Sequence, residues 1–238
     1  MTINPTTTAT RPGNALTEPS KGALTVRPGY SLDTSLALAG RTNDAQSEAF
    51  RALRTHLVAQ HIHGGRRALA VCGASPETGC TFVATNLAMA FSQIGLKTLL
   101  IDGDLRRPGV DKLIRPERAS AGLRQYLSSN ANLGDCIEED IMPNLSVLYS
   151  GGAANPQELL AGPRFRSMIE FCLRDFDITV IDTPPANSCS DSRLIASVVG
   201  YAVIVARRDK TFTADIKTLS SQLESDGARV IGTVLNDA

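Results

Sequence analysis

The chain has 238 residues, and its 24 lysines and arginines balance 24 aspartates and glutamates to a formal charge of zero. That length suits one α/β domain with some chain to spare, and the neutral balance gives no global argument for nucleic acid or an anionic membrane as a partner. Cys72, Cys80, Cys136, Cys172 and Cys189 form an odd, scattered set without C-x-x-C spacing, which indicates neither a zinc site nor a disulfide framework and suits a reducing compartment.

Residues 1–40 are rich in Thr, Ser, Pro, Gly and Ala. Such a segment cannot bury enough apolar surface to offset its ordering entropy, so a disordered arm is expected before a domain spanning 41–238. The opening MTINPTTTATRPGN lacks the apolar core of a secretory signal. The longest apolar runs, such as 201–206, are far too short to span a bilayer, so the expectation is a cytoplasmic protein with no direct membrane insertion. Residues 44–61 read as a helix with Phe50, Leu53, Leu57 and Val58 at helical spacing. Glu48, Arg51 and Arg54 share roughly 120° of its polar face. They fit either a solvated face with one Glu–Arg pair or an interface whose arginines fork onto a neighbour's carboxylates. His61 and His63 have no Cys or carboxylate cluster beside them and are read as an exposed pair at the helix end.

Residues 68–72 are an apolar run expected to be a buried strand. A glycine-bearing loop over 73–79 follows, then a helix with Leu87, Ala88, Met89 and Phe91 on its apolar side. Strand, loop and helix opening with Thr81 is the layout of a phosphate-binding P-loop, in which backbone N–H groups and a helix N-terminus face an anion. The motif calls for Gly-Lys-Ser/Thr; here it reads Gly79-Cys80-Thr81. Next, Leu99, Leu100 and Ile101 predict a second buried strand that delivers Asp102 and Asp104 to its C-terminal end, the edge at which open α/β sheets bind ligands. Two such carboxylates can share Mg²⁺, and one can take a proton from an attacking hydroxyl.

Between 108 and 170 the pattern is helix-rich. Short amphipathic pieces are expected at 122–126 and 133–137, a strand at 145–148, a helix opening at NPQELL from Asn155, and an apolar helical face at 168–173. ITVIDTPP at 178–185 predicts a strand that ends in Asp182 and a double proline. An aspartate at a parallel-strand tip beside a phosphate site reaches Mg²⁺ through water in the Walker B layout. A helix at 191–199, a strand at 201–206, a helix at 212–224 and a strand at 230–235 ending in Asn236 complete the chain. Strands alternating with helices predict an α/β fold, a parallel twisted sheet with helices on both faces.

Over about residues 42–237 the chain resembles the cytoplasmic domain of the bacterial tyrosine kinases of capsule and exopolysaccharide synthesis, P-loop proteins of the MinD/ParA-like deviant group. The resemblance is carried by SEAFRALRTHL (47–57), SPETGCTFVATNLA (75–88), LLIDGDLRRP (99–108), GLRQYL, NPQELL, FDITVIDTPP and VIGTVLND. It implies ATP or ADP with Mg²⁺ held along Ser75, Pro76, Glu77, Thr78, Gly79, Cys80, Thr81 and Phe82, with Asn236 near the adenine. Thr81, Asp102 and Asp182 would hold the metal, and Asp104, with Asp102 beside it, would serve catalysis as the base toward a tyrosine hydroxyl. Glu48, Arg51 and Arg54 would join subunits into a homo-oligomeric ring. The implied partner is the cytoplasmic segment of a transmembrane polysaccharide copolymerase, encoded separately because this chain has no membrane segment.

Two departures shape the functional expectation. Family members carry lysine where this chain has Cys80, and removing such a charge-assisted partner costs roughly 2–4 kcal/mol of transition-state stabilisation. Glu77 adds an anion to the loop, and Arg106 or Arg107 are the candidate replacements for the lysine. The family's tyrosine-rich tail also has no counterpart, and Tyr30 is the one tyrosine expected in a flexible segment. The leading expectation is therefore a kinase-like regulator of surface polysaccharide synthesis and export with weak or lost phosphotransfer. An active kinase for another protein and a ParA/MinD-like positioning ATPase are the alternatives, as is, more remotely, a Cys80 nucleophile activated by the helix N-terminus.

Overall fold

All six runs expected as strands lie in one sheet of the computed structural model, which describes residues 25–40, 44–152 and 156–237. In chain order, β1 (Tyr30–Leu32) and α1 (Ala45–Gln60) precede β2 (Ala68–Gly73) and α2 (Cys80–Ser92). β3 (Thr98–Asp102) leads through the single turn α3 (Val110–Leu113) to β4 (Ile114–Pro116) and α4 (Leu123–Ser128). β5 (Glu138–Met142) and β6 (Leu145–Leu148) form a hairpin, followed by α5 (Gln157–Ala161) and α6 (Pro163–Asp175). β7 (Ile178–Asp182), α7 (Asp191–Val199), β8 (Tyr201–Arg207), α8 (Thr213–Ser225) and β9 (Arg229–Asn236) complete the fold.

The sheet runs β5-β6-β3-β7-β2-β8-β9, parallel except for β5. Its strands are apolar throughout because both faces are covered. Successive side chains alternate between two cores: Ala68, Ala70 and Cys72 of β2 pack with α4, α6, α7 and α8, whereas Leu69 and Val71 pack with α1 and α2. Beyond its first three residues helix α2 is enclosed, with every residue from Val83 to Ser92 buried. Its polar Asn86 is satisfied by accepting the Leu38 N–H at 3.1 Å and donating to the Phe82 carbonyl at 2.9 Å.

That contact corrects the expected arm. Residues 25–40 are ordered onto the domain: β1 pairs antiparallel with β4, and Leu36 and Leu38 are each 2% exposed. Ser47 Oγ donates to the Ala37 carbonyl at 2.6 Å, so α1 and this segment hold each other. Residues 1–24 of the expected arm, and Asn155, lie outside the described residues. Tyr30 is half-buried in β1 and accepts a hydrogen bond from Arg27 at 2.9 Å, so it is not a flexible tyrosine. The piece expected at 133–137 is one 3₁₀ turn, Gly134–Cys136. His61 is also corrected: it is 2% exposed, edge-on to Tyr201 at 4.7 Å, and burial lowers its pKa.

Candidate nucleotide site

At the C-terminal edge of the sheet, the 73–79 loop leaves the end of β2 and turns into α2. Gly79 takes the left-handed conformation (φ +87°) as the helix N-cap, and no side chain caps the first turn. Glu77 is also left-handed at φ +61°. Gly73 must be glycine: a Cβ there would lie 2.3 Å from Thr78 Oγ1 and 2.6 Å from Cys80 Sγ. These two side chains fold under the loop and meet at 3.3 Å. Burial, then the nearby Asp182 charge, pushes the Cys80 thiol well above its ordinary range. The thiolate needed for a Cys80 nucleophile is therefore disfavoured, the reverse of the helix-terminus expectation.

Above the loop opens a cleft of about 480 Å³, lined by residues 75–82 together with Asp104, Arg107, Gly109, Lys112, Leu113, Thr183 and Pro185. The register of the parallel strands sets Asp102 directly opposite Asp182 at the adjoining tips of β3 and β7. Both are fully buried, and Asp104 is 8% exposed. Asp102 is bound down: Oδ1 accepts the Asp104 N–H at 3.2 Å, and Oδ2 accepts those of Gly109 and Val110 at 3.1 Å each. Burial raises its pKa to about 7 against those hydrogen bonds, with the Asp104 charge adding to the rise. Asp182 is pushed up by burial and then by Asp102, and no hydrogen bond of ordinary geometry reaches either of its oxygens among the described residues. The Thr81 hydroxyl is near enough to favour the charged form without offsetting burial. Asp104 accepts the N–H groups of Arg106 and Arg107 on Oδ1 at 3.0 and 2.8 Å, leaving Oδ2 without a protein partner among the described residues.

This set fits Mg²⁺. An unpaired buried carboxylate beside a threonine hydroxyl and a second carboxylate supplies hard oxygen donors. Among the described residues no three His, Cys, Asp or Glu side chains converge as a cage. Mg²⁺ needs none, since it keeps several waters and takes one or two carboxylates plus phosphate oxygens.

Over 206 residues the chain is 34% identical to tyrosine-protein kinase CpsD of Streptococcus agalactiae, covering 86% of this chain and 87% of CpsD. It matches the kinase domain of Escherichia coli tyrosine kinase ETK with TM-score 0.77 and 32% identity, covering 82% of this chain and 77% of that one. The chain belongs to the bacterial tyrosine-protein kinase family. A likeness to the cell-division ATPase MinD of Pyrococcus furiosus, with TM-score 0.63 and 26% identity over 72% of each chain, places the family in the same P-loop fold group. No protein-family model matches the chain. It spans 27% of the length of the longer E. coli relative, tyrosine-protein kinase etk.

Two features of this kinase-family chain surround the loop. Asn236, at the end of β9, donates to the Thr78 carbonyl at 3.0 Å and leans on Gly79, whose Cβ would come within 2.1 Å of its amide. Glu77 lines the cleft, but its carboxylate is engaged. It is exposed and paired with Lys210 at 2.8 Å, and Arg207 donates to its carbonyl at 3.0 Å. A second, more apolar cavity of about 390 Å³ adjoins the first at Phe82, lined by Ala45, Ala49, Phe50 and Leu53 of α1 and by Val234 and Asn236 of β9.

The α1 face is less uniform than its spacing suggests. Glu48 and Arg51 pair with each other, while Arg54 is half-buried and donates to the Ala90 carbonyl at 3.4 Å. Of the candidate replacements for the lysine, Arg106 is committed to buried Asp191 at 2.6 Å, whereas Arg107 lines the cleft. Lys112 also lines it, and the sequence reading missed it. The signal was available: Gly-Val-Asp-Lys after Pro108 is one helical turn, which brings residue 112 back over Gly109.

Proposed function

We propose that this kinase-family chain binds ATP or ADP with Mg²⁺ and regulates assembly of a cell-surface polysaccharide, with phosphotransfer weak or lost. The observation that carries this reading is Cys80: a neutral thiol turned under the P-loop toward Thr78, in a cleft whose three carboxylates are all present. Beside that cleft Thr81, Asp102 and Asp182 would hold Mg²⁺. When bound, the ion neutralises phosphate charge. Asp104, with one oxygen free, accepts the proton of an incoming hydroxyl. The loop N–H groups cradle phosphate, and the apolar cavity shared at Phe82, with Asn236 on its rim, suits the base.

The partner proposed is the cytoplasmic segment of a transmembrane polysaccharide copolymerase, which recruits the chain to the inner face of the membrane; family membership supports it. Among the described residues no helix is long and apolar enough to cross a membrane. Glu48, Arg51 and Arg54 form the proposed ring contact, with Arg51 exchanging its own-chain Glu48 for a neighbour's carboxylate. None of the four tyrosines stands fully exposed. Tyr126 and Tyr149 are 9% and 5% exposed, which supports a phosphorylation target, if any, on another protein.

Purified protein incubated with labelled ATP and Mg²⁺, with and without the partner's cytoplasmic segment, tests the reading: little phosphotyrosine is expected in either case. Robust phosphotyrosine abolished by Asp104→Asn would establish the second reading, an active kinase, which the cations Arg107 and Lys112 at the cleft favour. For the ring, wild type is compared with Arg51→Ala by light scattering; identical monomeric masses remove it.

A further inference from the structure

We infer that Lys112, assisted by Arg107, supplies to the terminal phosphates of a nucleoside di- or triphosphate the positive charge that Cys80 cannot. The inference rests on reading this cleft as a nucleotide site.

Four observations carry it. Arg107 and Lys112 are the cations that line the cleft, and neither side chain has an ion-pair partner among the described residues. The other cations nearby are engaged: Arg106 by Asp191, Lys210 by the Glu77 carboxylate and Arg207 by the Glu77 carbonyl. The turn that carries Lys112 is fixed against the phosphate loop. Asp102 Oδ2 accepts the N–H groups of Gly109 and Val110, and Gly109 lies so close to Thr81 that a Cβ would meet its side chain at 3.1 Å. Finally, buried Asp182 has no hydrogen bond of ordinary geometry to either oxygen and lies beside the Thr81 hydroxyl of the same loop, which suits a cation bound together with phosphate.

The arrangement gives Asp102 a role besides metal binding. Its carboxylate tethers the turn, so that a cation reaching from the carboxylate side of the cleft stands in for one rising from the loop. A lysine on a surface turn keeps its hydration until phosphate arrives, and it contacts the β- and γ-phosphates rather than the α-phosphate nested in the loop. The charge is thus present, but delivered from an exposed turn rather than from the loop itself, which suits binding better than transition-state positioning.

Titration calorimetry of the full chain with Mg²⁺-ADP and with AMP tests this. Lys112→Ala is expected to weaken Mg²⁺-ADP binding about tenfold or more, as loss of a charge-assisted contact does, and to leave AMP binding unchanged. Lys112→Arg should retain most of the affinity. In a Cys80→Lys background the Lys112→Ala loss should shrink to about threefold or less, because the charge has been restored. Lys112 is exposed, and an unchanged melting temperature verifies the fold of each variant. Wild-type ADP affinity in Lys112→Ala, or equal losses for ADP and AMP, overturns the inference and leaves the nucleotide reading standing. So does ADP binding by Cys80→Lys but not by wild type. No binding by either protein overturns the nucleotide reading and this inference with it.

Discussion

The tips of β3 and β7 and the loop between β2 and α2 face each other across one cleft, and they hold charge in opposite ways. The strand tips concentrate it: Asp102 and Asp182 are directly opposed in register, both buried, both pushed toward the neutral form, with Asp104 beside them. The loop has shed it, since Cys80 is an uncharged thiol and the Glu77 carboxylate is paired with Lys210. The two deficits do not cancel. A divalent cation relieves the first, whereas phosphate in the loop still needs a side-chain cation from elsewhere. The loop nonetheless keeps its shape, because that shape depends on Gly73 and Gly79 rather than on the residue at 80. Loss of the lysine is therefore a change in chemistry without a change in fold.

Cys80→Lys is the largest test of that contrast. If loop and strand tips form one site, the substitution raises phosphotransfer from Mg²⁺-ATP by about two to three orders of magnitude, roughly 3–4 kcal/mol, and Asp104→Asn removes the gain; labelled-phosphate transfer measures both. Gly73→Ala attacks the loop's shape instead. Its Cβ must displace Thr78 Oγ1 and Cys80 Sγ, so denaturant unfolding should show a loss of about 1–3 kcal/mol, with nucleotide binding abolished.

On the carboxylate side, Asp182→Asn removes a buried carboxyl whose ionisation is opposed by burial and by the neighbouring Asp102. Stability without nucleotide should rise by about 1 kcal/mol at neutral pH, and the stabilisation given by Mg²⁺-ADP should fall. The same crowding sets a pH dependence. Burial raises the Asp102 pKa from an ordinary 3.8 to about 7, so the folded state holds the extra proton. The Asp102 contribution to stability is complete below about pH 4 and is lost as pH rises through about 7. Chemical denaturation across pH 4–8 should show this decline, flattened in Asp102→Asn. The smallest effect is expected from Glu77→Gly: relief of the left-handed backbone offsets loss of the exposed Lys210 pair, and the melting temperature stays at its wild-type value.

How far these features were legible depended on the range of the forces behind them. The strands at 68–72, 99–101, 145–148, 178–181, 201–206 and 230–235 were readable because apolar and β-branched residues crowd each run and polar, glycine or proline residues end it. β1, β4 and β5 were not, since three to five residues with mixed polarity form strands only when a partner supplies the hydrogen bonds. The ordering of 25–40 was hidden in the same way: Leu36 and Leu38 are buried by α1 and α2, a contact no local window reveals.

By itself, then, the sequence determined the family, the strand–loop–helix at 68–92, the three aspartates at strand tips and the missing lysine, because these follow from local backbone preference and residue chemistry. Only the tertiary structure decided where the charges went. It turned the Cys80 thiol under the loop and paired Glu77 with Lys210. It committed Arg106 to Asp191, opposed Asp102 to Asp182, and brought Lys112 over the cleft. Each of those outcomes rests on strand register or on a contact between residues distant in the chain, and electrostatics acts through distance in space, not along the sequence.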